Sequence, residues 1–137
     1  MILFIALVIY ILFCTAYWGI FQKAGEAGWK GLIPSYNEYT IFKLSWSPIA
    51  FWVLIVLAVL AVFCNLHDLG TVSTAGSFLS FACFIIYCMH MSNLSKVFGH
   101  GGGFTAGLIL LPLIFLLILS FGSSQYLGNP YSRNQTL

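Results

Sequence analysis

Apolar residues fall in four long blocks along the chain, separated by short polar or glycine-rich stretches. Residues 2–21 carry no charge, and only Thr15 and Gly19 interrupt their hydrophobic run. Residues 48–64 open on Pro48 and are apolar at every later position. Residues 77–94 are interrupted by Ser77, Ser80, His90, Ser92 and Asn93, and residues 105–121 have Pro112 near their middle. A helix crossing a bilayer needs about 20 mostly apolar residues. The pattern therefore predicts an all-α integral membrane protein, a four-helix bundle with spans 2–21, 48–64, 77–94 and 105–121 and a polar tail 122–137. Pro48 suits a first helical turn, where a missing N–H costs nothing. Pro112 predicts a kink whose freed carbonyl neighbouring helices re-satisfy.

Composition supports the same class. Of 137 residues, 61% are hydrophobic and 6% are charged, against roughly 25% charged in a soluble domain. Mean hydropathy is +0.99. These values exclude a soluble globular domain and a disordered chain. A net charge of +2 gives no footprint for nucleic acid. The chain reads as a single membrane domain, 1–137, whose first partner is the lipid bilayer. The first block lacks a basic lead and exceeds the apolar length of a signal peptide, so a retained anchor helix is expected.

The few charges set an orientation. Lys23, Lys30, Lys43 and Lys96 fall in the loops between spans one and two and between spans three and four; Arg133 stands alone on the other side. The positive-inside rule then places those two loops in the cytoplasm and both chain ends outside. The four cysteines, Cys14, Cys64, Cys83 and Cys88, all fall within spans, where free thiols act as small hydrophobes and no disulfide is expected.

The first basic loop is the most informative stretch. Glu26 and Lys30 stand four apart in the order that favours a helical ion pair. Gly25, Gly28 and Gly31 recur every third residue, which reads either as a bare helix face for close docking or as a set of turns. Ser35 and Glu38 have capping-box spacing after Pro34, predicting a short interfacial helix from about Tyr36. Tyr36, Tyr39, Phe42 and Trp46 would share one side of it, as an anchor at headgroup level. The candidate partner- or headgroup-contact residues are Lys23, Gly25, Gly28, Trp29, Lys30, Pro34, Tyr36, Asn37, Tyr39 and Lys96.

These residues also carry a resemblance. The string K-A-G-x-x-G-W-K-x-L-I-P-x-Y-N-x-Y, from Lys23 to Tyr39, resembles an uncharacterised family of small multi-pass bacterial membrane proteins, a domain of unknown function. A similar module precedes the catalytic domain of some bacterial signal peptidases I. Lys96-Val97-Phe98-Gly99, Gly103-Phe104, Gly107-Leu108, Leu111-Pro112 and the closing 121–126 look like the second half of that family's pattern. Asn93 and His100 depart from it. The resemblance implies a bacterial inner membrane and a compact four-helix architecture, and it implies no activity.

Candidate chemistry is sparse. His100-Gly101-Gly102-Gly103 matches an oxyanion-hole string, but the chain has no G-x-S-x-G and no P-loop. Cys88-Met89-His90-Met91 sets soft donors side by side, yet helical neighbours point to different faces. His90 is the one ionisable residue inside a span, and is expected to be a polar contact between helices. His67 and Asp68 read as a helix-end contact, since a metal site wants more ligands. Neither a cofactor nor a metal is expected, and Asn134 heads a formal glycosylation sequon. Gly99, Gly103 and Gly107 give two overlapping G-x-x-x-G repeats. With no catalytic set, the expected function is a non-catalytic accessory or structural subunit of a larger complex of membrane proteins. A small homo-oligomeric transporter or channel, or a protein that binds lipid headgroups, are the alternatives.

Overall fold

The structure, a computed structural model, describes residues 1–67 and 71–131, with the backbone alone for 71–73. Asp68, Arg133 and the Asn134 sequon lie outside the described residues. The described chain is helical: α1 (Ile2–Lys23), a 3₁₀ turn (Gly28–Leu32), α2 (Pro34–Ser45), α3 (Pro48–Leu66), α4 (Thr71–Val97), α5 (Gly102–Leu110) and α6 (Pro112–Phe121). Three of these, α1, α3 and α4, are long and apolar enough to cross a membrane.

Local chemistry sets the boundaries. Ser47 caps α3 by accepting from the Ile49 N–H at 3.2 Å, with Pro48 in the first turn. α1 and α4 both end with glycine in the left-handed region, at Gly25 (φ 78) and Gly99 (φ 79). Each end makes the paired Schellman bonds: Glu26 N–H to the Phe21 carbonyl and Gly25 N–H to Gln22, and likewise His100 to Ser95 and Gly99 to Lys96. α3 and α4 pair along their length. At one end of that pair a Cβ on Gly76 would stand 2.5 Å from the Asn65 side chain, so glycine is what allows the close approach.

The fourth apolar block departs from expectation. It is two short helices, α5 and α6, that reverse at Leu111–Pro112. His100, before α5, and Ser124, after α6, stand 2.6 Å apart through Nε2 and Oγ. Phe104 of α5 packs edge-on against Phe115 of α6 at 5.1 Å. A straight helix would separate His100 from Ser124 by about 36 Å. The physical reason is in the block's centre. Leu111 leaves helical geometry (φ −132, ψ 63) and closes α5 by donating to the Gly107 carbonyl at 2.7 Å. Pro112 then starts a new helix as its first residue. Proline here starts a second helix where a kink in one helix was expected.

The hairpin decides the rest of the architecture. α5 packs on α4 and α6 on α1. Lys23, in the last turn of α1, donates its ammonium to the Leu119 and Gly122 carbonyls at 2.6 and 2.8 Å. The end of α6 therefore lies beside the end of α1. The tail continues there: Tyr126 OH donates to the Leu44 carbonyl (2.6 Å), Leu127 N–H to Val97 (2.7 Å), and Asn129 to Lys43 and Trp46 (2.8 Å each). Residues 122–131 thus share the end of the molecule that carries the first basic loop. The expectation that the tail returns to the opposite end, beside residue 1, is corrected by this geometry, because the fourth block turns back.

The core is concentrated at the same end. Its buried side chains include Tyr17, Ile20 and Phe21 of α1, Ile41 and Phe42 of α2, Phe51 of α3, Leu94 and Val97 of α4, Leu108 of α5, and Leu116 and Leu119 of α6. At the other end, every residue of α1 from 2 to 12 is exposed. α6 is ten residues long, about 15 Å, and covers only the second half of α1.

Candidate functional site

The first basic loop folds as a collar against the end of α1. The Gly25 turn brings Glu26 back under the helix, where Lys30 and Lys43 both pair with it, Lys43 at 3.2 Å. The hydrogen bond from Lys30 holds the Glu26 carboxyl below its usual range, and Glu26 in turn raises Lys30. One carboxylate shared by two ammonium groups leaves this cluster with a surplus positive charge.

The period-three glycines acquire a definite role. A 3₁₀ helix has three residues per turn, so positions three apart eclipse. Gly28 and Gly31 therefore line one face of the 28–32 turn, which packs on α1. A Cβ at Gly28 would stand 2.5 Å from the Trp18 ring, and one at Gly31 would stand 2.9 Å from Tyr17. Gly25 is a turn and the other two permit close approach, so the two readings of the sequence divide between them. The face they dock on belongs to this chain.

α2 begins at Pro34, two residues before the expected start, with Ile33 as its N-cap. The capping box does not form, because Glu38 turns inward and accepts from Tyr17 OH at 2.9 Å. Asn37 is buried and donates to the Gly31 carbonyl at 3.4 Å, while its Oδ1 has no partner. Trp29, Tyr36 and Tyr39 stack in series at 5.9 and 6.2 Å, and Tyr39 reaches Phe51 and Trp52 of α3. Trp29, Tyr36 and Trp52 are exposed. The expected aromatic stripe is split: Phe42 turns into the core.

Phe42 meets His90 there. The two rings stack at 3.8 Å and 5°, and His90 is fully buried. Ser45 Oγ donates to the Ile41 carbonyl at 2.8 Å and lies 3.1 Å from His90 Nδ1. With the hydroxyl proton spent on Ile41, Nδ1–H donates to Ser45, and the neutral ring keeps Nε2 as a bare acceptor. Nε2 has no partner among the described residues. His90 thus joins α2 to α4. Its neighbours scatter: Met91 is buried and Met89 exposed, so they do not converge on one ion.

The remaining candidates lie apart. Lys23 is engaged by α6, and Lys96 stands at the end of α4 beside a groove with Tyr131 and Pro130. His100 stacks on Phe104 at 4.0 Å and contacts Ser124, within the hairpin's base. Among Gly99, Gly103 and Gly107, only Gly107 lies tight against a neighbour, the Phe115 ring; nothing crowds Gly103. Among the described residues no three His, Cys, Asp or Glu side chains gather as a metal site.

The residue to which sequence reasoning gave the wrong partner is Glu38, expected there in a capping box with Ser35 and found on Tyr17. Burial raises its carboxyl above the ordinary 4.5, outweighing the Tyr17 hydrogen bond. An acid raised on folding favours the fold below its unfolded value, and that contribution is lost as pH rises through the folded value. Stability should therefore fall as pH climbs from 4.5 through the raised folded value. Glu38→Gln keeps an acceptor for Tyr17 and should flatten that slope. Unfolding midpoints across the range check it; a parallel slope in the variant would refute the assignment.

No curated protein and no solved structure matches the chain. A family model does match, over residues 29–129, from Trp29 in the collar to Asn129 in the returning tail. That span takes in α2 through α6 and the contacts that close the hairpin's base. On this match the chain belongs to DUF5684, a family of unknown function.

Proposed function

We propose that this protein is a non-catalytic accessory subunit of a larger assembly in the bacterial plasma membrane. The observation that supports it is the exposed half of α1: residues 2–12 are exposed at every position and apolar apart from the Tyr10 hydroxyl, which donates to the Leu32 carbonyl at 2.7 Å. Helices associate within a bilayer by packing against one another, and residues 2–9 of this half-helix present packing surface that the described chain leaves exposed. The basic end of the bundle faces the cytoplasm by the positive-inside rule. α1, α3 and α4 cross the bilayer, and the α5–α6 hairpin enters from the cytoplasmic side and turns near mid-depth.

A photo-crosslinker placed at Leu7 in cells should give one discrete product with another membrane protein. The same group at Val59, equally exposed on α3, should not. Equal, diffuse products from both positions, or a monomer from both, would refute the accessory reading.

The re-entering hairpin favours a second reading, a small transporter, because transport sites are often built on broken helices. Its turn offers Leu110, Leu111 and Pro112, with no polar side chain to hold a solute. The accessory reading is therefore preferred.

A further inference from the structure

A groove of about 510 Å³ opens between α2 and the first turns of α3. Tyr36, Tyr39, Phe51 and Trp52 form its walls, Ile33 and Ile55 extend them, and Ser35 adds a hydroxyl. Its size falls in the range of about 300–1,000 Å³ typical of small-molecule sites, which are mostly apolar with a few polar groups. The stacked series Trp29–Tyr36–Tyr39 makes one wall continuous from the collar to α3. Lys30 Nζ stands 5.8 Å from the centre of the Tyr36 ring, which brings the Lys30 side of the cationic cluster next to one wall of the groove.

These features describe an amphiphile with a negative head. The interior is aromatic and aliphatic; the border is a carboxylate shared by Lys30 and Lys43, with positive charge in excess. Glu38 does not offset it, since that carboxyl faces Tyr17. The groove also runs from the polar collar toward the apolar second turn of α3, the direction of a lipid chain leaving the headgroup layer. We propose that this groove holds one acyl chain of an anionic phospholipid, with the headgroup drawn to the Lys30–Glu26–Lys43 cluster. The site goes beyond the accessory role and stands or falls separately from it.

The test uses the full-length protein in nanodiscs of phosphatidylcholine with about one-tenth phosphatidylglycerol, read by native mass spectrometry. One surplus lysine near a membrane surface attracts anionic lipid by about 1 kcal/mol, equivalent to about fivefold. The wild type should retain one phosphatidylglycerol per chain, favoured about fivefold over its share of the bilayer. Ile55→Trp fills the groove from a half-exposed position and should lower retention of both lipids. Lys43→Gln should leave retention in place and abolish the preference. Thermal melts establish that each variant is folded; should Ile55→Trp melt early, Ile55→Phe replaces it. Lipids retained in proportion to supply, or a filled groove that retains phosphatidylglycerol as the wild type does, would overturn the proposal.

Discussion

Gly107→Leu should destabilise the protein by about 1–3 kcal/mol, and Phe115→Leu in the same chain should recover much of that loss. A Cβ at position 107 would stand 2.2 Å from the Phe115 ring. That ring has little room to yield, because its edge-on packing with Phe104 holds it in place. Overpacking of this kind costs about 1–3 kcal/mol. Phe115→Leu removes the ring atoms that collide, so the two substitutions should couple, with an interaction energy of about 0.5–3 kcal/mol. A straight helix would put positions 107 and 115 about 12 Å apart, beyond the range at which side chains couple. Reversible unfolding by a denaturing detergent measures all four members of the cycle. Additive effects would mean that α5 and α6 do not face each other, and the hairpin would be refuted with them.

That pair also shows where the sequence runs out as a guide to the fold. α1, α3 and α4 are legible because each is an apolar run as long as a bilayer is thick, and length with hydropathy is a global signal. The start of α4 is less so. Thr71 to Gly76 are helical, but small polar residues lower hydropathy without preventing helix, so the apolar count begins late. For α5 and α6, hydropathy is silent about direction. Two half-length apolar helices and one kinked span have the same composition, and proline is compatible with both a kink and a new first turn. A separate hint was present: Gly107 and Phe115 stand symmetrically about Leu111, a small residue placed to receive a large one.

The site was legible to the same degree. The period-three glycines of the collar matched a 3₁₀ turn better than an α-helix, once that period is taken literally. The charges of Glu26, Lys30 and Lys43 were visible, and so was His90 as an intramembrane polar group. Their partners were not. Which of two neighbouring acids is shared between lysines and which turns toward Tyr17 depends on how α2 sits on the 3₁₀ turn, α3 and α4. That placement is set by long-range packing of Phe42 against Phe51 and His90, which no local spacing encodes.

The hairpin also predicts on which side of the membrane residues 122–131 stand. Lys23 holds the carbonyls of Leu119 and Gly122, and Tyr126, Leu127 and Asn129 bond to Leu44, Val97, Lys43 and Trp46. All of these lie at the basic end. α1 has 22 residues, about 33 Å, so this end and residue 2 stand on opposite faces of a bilayer about 30 Å thick in its apolar core. With the basic end in the cytoplasm, as proposed, a fluorescent reporter fused after Tyr131 should light up as a cytoplasmic fusion, and a phosphatase that works only outside should be inactive there. Ser123→Cys should react with an impermeant thiol reagent only after the membrane is opened, while Leu111→Cys, at the turn within the bilayer, should resist it in both cases. An active outside reporter, or labelling of Ser123→Cys on intact cells, would mean that the fourth apolar block crosses the membrane and that Leu111–Pro112 is a kink in one span.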